Sequence, residues 1–135
     1  MVKKFALIFG AMYAVVGILG FIPALVSPPE MTTGMDVHAG HGRLFGLFPV
    51  NFWHNIVHLA VGIWGVIAAR DFGAAVSFAR INAVLFAALT ILGLIPATNT
   101  LFGLVPIYGH DVWLHALTTA LTAYFGFVAP SRAEV

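Results

Sequence analysis

Four stretches of about twenty residues in this chain hold almost nothing that water would solvate, and that length of apolar chain is what a bilayer core demands. They are 5–25, 51–69, 78–96 and 110–129, and only Arg80 and Asp111 among them carry a fixed charge. In hydrocarbon a segment must satisfy its own backbone groups, so each run is expected as a helix. Only 8% of the 135 residues are charged, whereas a soluble domain carries about 25%. The expected fold is therefore all-α: a single membrane domain over 1–135, built as a four-helix transmembrane bundle. Its expected surroundings are the lipid bilayer, with a membrane protein partner or a second copy of the chain beside it. A net charge of +1 points to no nucleic acid. The absence of cysteine removes disulfides and thiol chemistry.

Lys3 and Lys4 precede the first run, as they would in a signal peptide. The run is longer than a signal core, and no small-residue cleavage pattern follows Leu25, so a retained helix is expected. Ala6, Gly10, Ala14, Gly17 and Gly20 give that helix a small-residue face for close packing. Residues 26–50 read as a polar loop with a short helical piece near Leu44 to Leu47. Within it Asp36-x-His38-x-x-His41 has metal-ligand residue types, but a solvated Gly/His-rich loop explains it equally. Arg70-Asp71-Phe-Gly73 reads as a tight turn, and Pro96 and Pro130 stop the last two helices. Lys3, Lys4, Arg70, Arg80 and Arg132 share one side, with Arg43 alone on the other, which places both termini in the cytoplasm. Asn82, the strongly polar interior residue of the third run, is expected to bond across helices.

The chain also repeats itself. Ile18-Leu-Gly-Phe-Ile-Pro23-Ala returns as Ile91-Leu-Gly-Leu-Ile-Pro96-Ala, and Phe45-Gly-Leu-Phe-Pro49 returns as Phe102-Gly-Leu-Val-Pro106. The offsets are 73 and 57 residues, and the difference is extra loop in the first half. Two repeated helical hairpins follow, both starting in the cytoplasm and related by an axis along the membrane normal.

Each repeat then opens a helix with two polar residues one turn apart: His54-x-x-x-His58 and Asp111-x-x-x-His115. That spacing puts each pair on one helix face. Ionisable groups at membrane depth normally face a bundle interior, so His54, His58, Asp111 and His115 are the candidate centre, near the outer face. Three readings fit. Imidazole nitrogens and a carboxylate suit a divalent transition metal such as Zn or Fe. The same groups can instead satisfy one another as a structural clasp, with Asp111 favoured at a helix N-terminus that would oppose a cation. Thirdly, His58 and His115 are repeat-equivalent and could approach one haem b iron from opposite sides, making an electron carrier. His110 points away from Asp111 and is expected at the surface. Nothing resembles a nucleophile elbow, a phosphate loop or a dinucleotide fingerprint.

The motifs Asn51-x-x-His54-Asn55-x-x-His58-Leu-x-x-Gly62 and Gly109-x-Asp111-x-Trp113-Leu114-His115 carry a resemblance over nearly the whole chain. The chain resembles a bacterial family of small four-helix membrane proteins designated a domain of unknown function, number four-three-eight-three. The resemblance implies an integral protein of the bacterial inner membrane, and implies no activity, substrate or cofactor. The Asp36/His38/His41 segment is not part of the pattern that carries it.

Overall fold

The computed structural model describes residues 1–29, 37 and 40–129. Four helices dominate it: α1 (Val2–Leu19), α2 (Phe52–Ala68), α3 (Phe72–Leu94) and α4 (His110–Ala123), which runs on into a π-helical turn at Tyr124–Val128. A small antiparallel sheet, in the order β1 (Val26–Ser27), β2 (Gly42–Leu44), β3 (Phe48–Val50), lies between α1 and α2. The fold is thus mostly helical rather than wholly so. Val26 pairs with Leu44, and Leu44 with Phe48. Phe45 and Gly46 turn the β2–β3 hairpin in left-handed conformations, with φ of 54° and 72°. The stretch expected as a helical piece is therefore this turn.

Helix boundaries follow local chemistry. Asn51 caps α2, its side-chain oxygen accepting from the His54 backbone N–H at 2.8 Å. Asp71 does the same for Ala74, so α3 begins at Phe72, six residues before the position expected from the apolar run. α1 ends at Leu19, short of the expected 25, because Ile22 is extended ahead of Pro23 and a 3-10 turn follows.

α1 packs mainly on α2, and α3 mainly on α4. The α1–α2 contact is backbone against backbone. A Cβ on Gly10 would sit 2.7 Å from the Gly62 carbonyl oxygen, and one on Gly65 2.7 Å from Gly10 Cα. Gly62 itself lies against the Ala14 backbone. The core between the pairs is aromatic. Phe9, Tyr13, Phe78 and Phe86 stack in edge and offset contacts, with Val2, Ala6 and Ala75 below them. Asn82, fully buried, donates to the Phe78 carbonyl of its own helix at 2.8 Å rather than across helices.

α1 and α3 are long and apolar enough to cross a membrane, and α2 is a shorter apolar helix. Only 33% and 39% of the residues in the two long spans are buried inside the molecule. Large apolar side chains such as Ile8, Ile63, Val84 and Leu94 point outward from the helices.

Candidate functional site

The N-terminal turns of α2 and α4 come together at one end of the molecule, where two irregular connections cover them. β3 leads into α2, and residues 95–109 lead into α4. In the second connection Phe102 and Gly103 adopt φ of 61° and 86°, the same left-handed pair as Phe45 and Gly46. Pro49 and Pro106, four residues after each phenylalanine, are both fully buried. Asn51 ties the two connections, donating from Nδ2 to the Leu104 carbonyl at 2.8 Å. The Tyr108 hydroxyl meets His41 Nε2 at 2.8 Å, which fastens the outer loop to the second connection.

Beneath this cover His54 Nε2 lies 3.6 Å from Asp111 Oδ2, and both side chains are almost completely buried. One turn along α4, His115 is buried to the same degree. His54, Asp111 and His115 each present a ligand-type atom within 4.8 Å of the other two. His58 stands one turn deeper on α2, its ring centroid 4.6 Å from that of His54. It is not part of the mutually close trio. The four residues picked from the sequence are therefore neighbours, with three in ligand-forming proximity and the fourth beside them. His110 is exposed and accepts a hydrogen bond from Trp113 Nε1 at 2.9 Å. Of the Asp36/His38/His41 segment, Asp36 and His38 lie outside the described residues, and His41 is engaged with Tyr108.

The polar atoms of the cluster are under-satisfied. Asp111 Oδ2 and the Nδ1 atoms of His58 and His115 are buried without a hydrogen-bond partner. His54 Nδ1 makes no well-aligned bond either, although the carbonyls of Pro49 and Pro106 interact with its ring. A buried polar group left unpaired costs about 1–3 kcal/mol, so four such atoms around one point ask for something that binds them.

The sequence left Tyr13 and Phe86 as ordinary apolar positions, yet they wall the cluster. Tyr13 packs on His58 with ring centroids 5.1 Å apart, and Phe86 on His115 at 5.4 Å. The two rings touch each other at 5.4 Å. The Tyr13 hydroxyl is 3.4 Å from Thr118 Oγ1. A signal for them existed: Tyr13 and Phe86 are 73 residues apart, the offset of the first repeated string. A cavity of about 210 Å³ opens beside the cluster, lined by Tyr13, His54, His58, Phe86 and His115 with aliphatic residues around them. A second space of about 110 Å³ reaches Asp111 and Thr118.

The family model described as DUF4383, a domain of unknown function, matches residues 3–128. The chain belongs to this family. The match spans all four helices, so the cluster lies wholly within the DUF4383 domain. No curated protein and no solved structure matches the chain.

Proposed function

We propose that this DUF4383 protein is a multi-pass protein of the bacterial inner membrane whose outer end holds one divalent transition-metal ion on His54, Asp111 and His115. The observation that carries the reading is the convergence of three ligand atoms within 4.8 Å, with buried lone pairs that no protein donor satisfies. Zinc bonds of about 2.0–2.2 Å in a tetrahedral site set ligand atoms about 3.4 Å apart. The His54–Asp111 separation of 3.6 Å is near that spacing, and small side-chain rotations supply the rest. Two imidazoles and one carboxylate are the donor set of metal centres that keep a fourth position open. An ion so held would act as a Lewis acid and lower the pKa of a bound water. His58 would stand beside that open position.

The membrane reading rests on the outward apolar side chains and on charge placement. Lys3 and Lys4 start α1, and Arg70 sits at the α2–α3 turn, at the opposite end from Arg43 on β2. By the positive-inside rule the termini are cytoplasmic and the cluster faces outward. α1 is a retained span on this reading, since Val2, Ala6 and Phe9 belong to the core. The repeat also gains support from geometry. His54 and Asp111, offset by 57 residues, meet each other, and so do Tyr13 and Phe86, offset by 73. Equivalent residues meet in this way on a pseudo-two-fold axis.

Elemental analysis of protein purified in detergent without chelator tests the metal. About one equivalent in wild type, lost in an Asp111→Asn/His115→Gln variant and kept in His58→Gln, is the expected result. Protein that retains no zinc after incubation and desalting would overturn it. A haem absorption band lost in His58→Gln would replace it with the haem b reading, although a 210 Å³ cavity favours an ion. A second reading, the structural clasp, is favoured by the direct His54–Asp111 approach at 3.6 Å. It predicts a lower Tm for Asp111→Asn with no change in metal content.

A further inference from the structure

We propose that the cavity beside the cluster is a binding site for a small, mostly apolar molecule with one hydroxyl group, of about the size of phenol, which enters from the bilayer between α2 and α3. The inference rests on the membrane part of the proposed function and not on the metal.

The size sets the class. An apolar cavity of about 150 Å³ holds benzene, and drug-sized ligands occupy pockets of roughly 300–1,000 Å³. A space of about 210 Å³ lies between the two and admits a single ring with a short substituent. The lining sets the chemistry. Most of the wall is aliphatic or aromatic, including Val61, Leu89 and Ile107. One side carries the imidazoles of His58 and His115, whose Nδ1 atoms are buried and unpartnered. His115 is 3% exposed, so water does not serve it from outside. A neutral imidazole offers one donor and one acceptor, and a hydroxyl can answer either. A wholly apolar guest would leave those nitrogens unpaired.

The position of the opening sets the route. Val57 of α2 and Leu85 of α3 line the cavity and are also exposed on the outer surface, 44% and 38% respectively. α2 and α3 touch little along their length, because each packs on its own hairpin partner. The mouth therefore lies on the helix flank that faces lipid on the membrane reading, and the guest is one that partitions into acyl chains.

The test uses the full chain, labelled with ¹⁵N-histidine, in lipid nanodiscs with chelator present. Phenol is titrated and the imidazole ¹⁵N resonances are followed, with benzene as the control. The expected result is a saturable phenol shift at His58 and His115, with a smaller response to benzene. Val61→Phe fills the cavity and should abolish saturation. Leu85→Trp closes the mouth from the surface without disturbing the core, and should do the same if Val61→Phe does not fold. Absence of a saturable shift in wild type, or an equal shift in folded Leu85→Trp protein, would overturn the proposal. Flotation with lipid vesicles is measured alongside. Protein that fails to float overturns the membrane reading and the proposed route together, whereas protein that floats without binding phenol overturns this inference alone.

Discussion

Asp111 is the residue whose surroundings fit its charge least well. It sits in the first turn of α4, where the helix N-terminus favours a carboxylate, yet its Oδ2 has no hydrogen bond and only His54 nearby. Asp111→Ala should therefore separate the two roles of the residue. If the carboxylate serves an ion, metal content falls and added zinc no longer raises the Tm. Loss of a partner for buried His54 should cost about 1–3 kcal/mol in either case, read from thermal unfolding in detergent. His41 is a second residue with a measurable consequence. Partial burial lowers its pKa below the usual 6.5, so the unfolded loop binds the proton more readily than the docked one. The docking of His41 on Tyr108 is accordingly intact above pH 6.5 and weakens as pH falls below it. Hydrogen exchange at the Gly42–Leu44 amides should accelerate on acidification in wild type, and His41→Phe should remove the pH dependence. The cluster was legible at this scale because histidine and aspartate are rare in apolar runs. Tyr13 and Phe86 were not, because an aromatic in an apolar helix carries no mark of what it touches.

At the scale of elements, four helices could be read from hydropathy because lipid-compatible surface and buried surface both select apolar residues. Their ends could not. Asp71 is an N-cap by its bond to Ala74, but Arg70-Asp71-Phe-Gly73 has the composition of a turn, and the glycine suggested that the helix had not begun. The three strands left no trace, since two or three residues are too few to show alternation, and β1 pairs with β2 across a long insert. The left-handed Phe45 and Phe102 were equally hidden: a positive φ is uncommon for a residue with a Cβ. The small-residue face of α1, in contrast, was readable and does set the packing. Gly62 faces the Ala14 backbone too closely for any side chain, and Gly10 faces Gly62 and Gly65. Gly62→Ala should push α1 from α2 and destabilise the protein by about 1–3 kcal/mol, the usual cost of overpacking. Gly73→Ala, on a surface turn, should leave the Tm nearly unchanged. Similar losses in both variants would mean that the α1–α2 contact is not what holds the first pair.

For the whole molecule, the arrangement in the bilayer decides what the cluster can reach. Parallel hairpins put the two connections at one end, and Asn51 bonding to Leu104 holds them there. That end is polar and carries Arg43, while Lys3, Lys4 and Arg70 mark the other. The chain contains no cysteine, so single cysteines report position without background. Leu47 and Leu104 are equivalent by the 57-residue offset, and both are about half exposed. In intact spheroplasts, a membrane-impermeant maleimide should label Leu47→Cys and Leu104→Cys to the same extent. Lys3→Cys and Arg70→Cys should label only after the membrane is permeabilised. Labelling of Leu47→Cys without Leu104→Cys would mean inverted rather than parallel repeats, and would separate His54 from Asp111 across the bilayer. Reversal of the whole pattern would keep the fold but turn the cluster to the cytoplasm, where an ion would be drawn from the intracellular pool. The expected pattern places the metal-binding end and its connections outside, within reach of ions and partners in the extracytoplasmic space, while the mouth between α2 and α3 stays open to lipid.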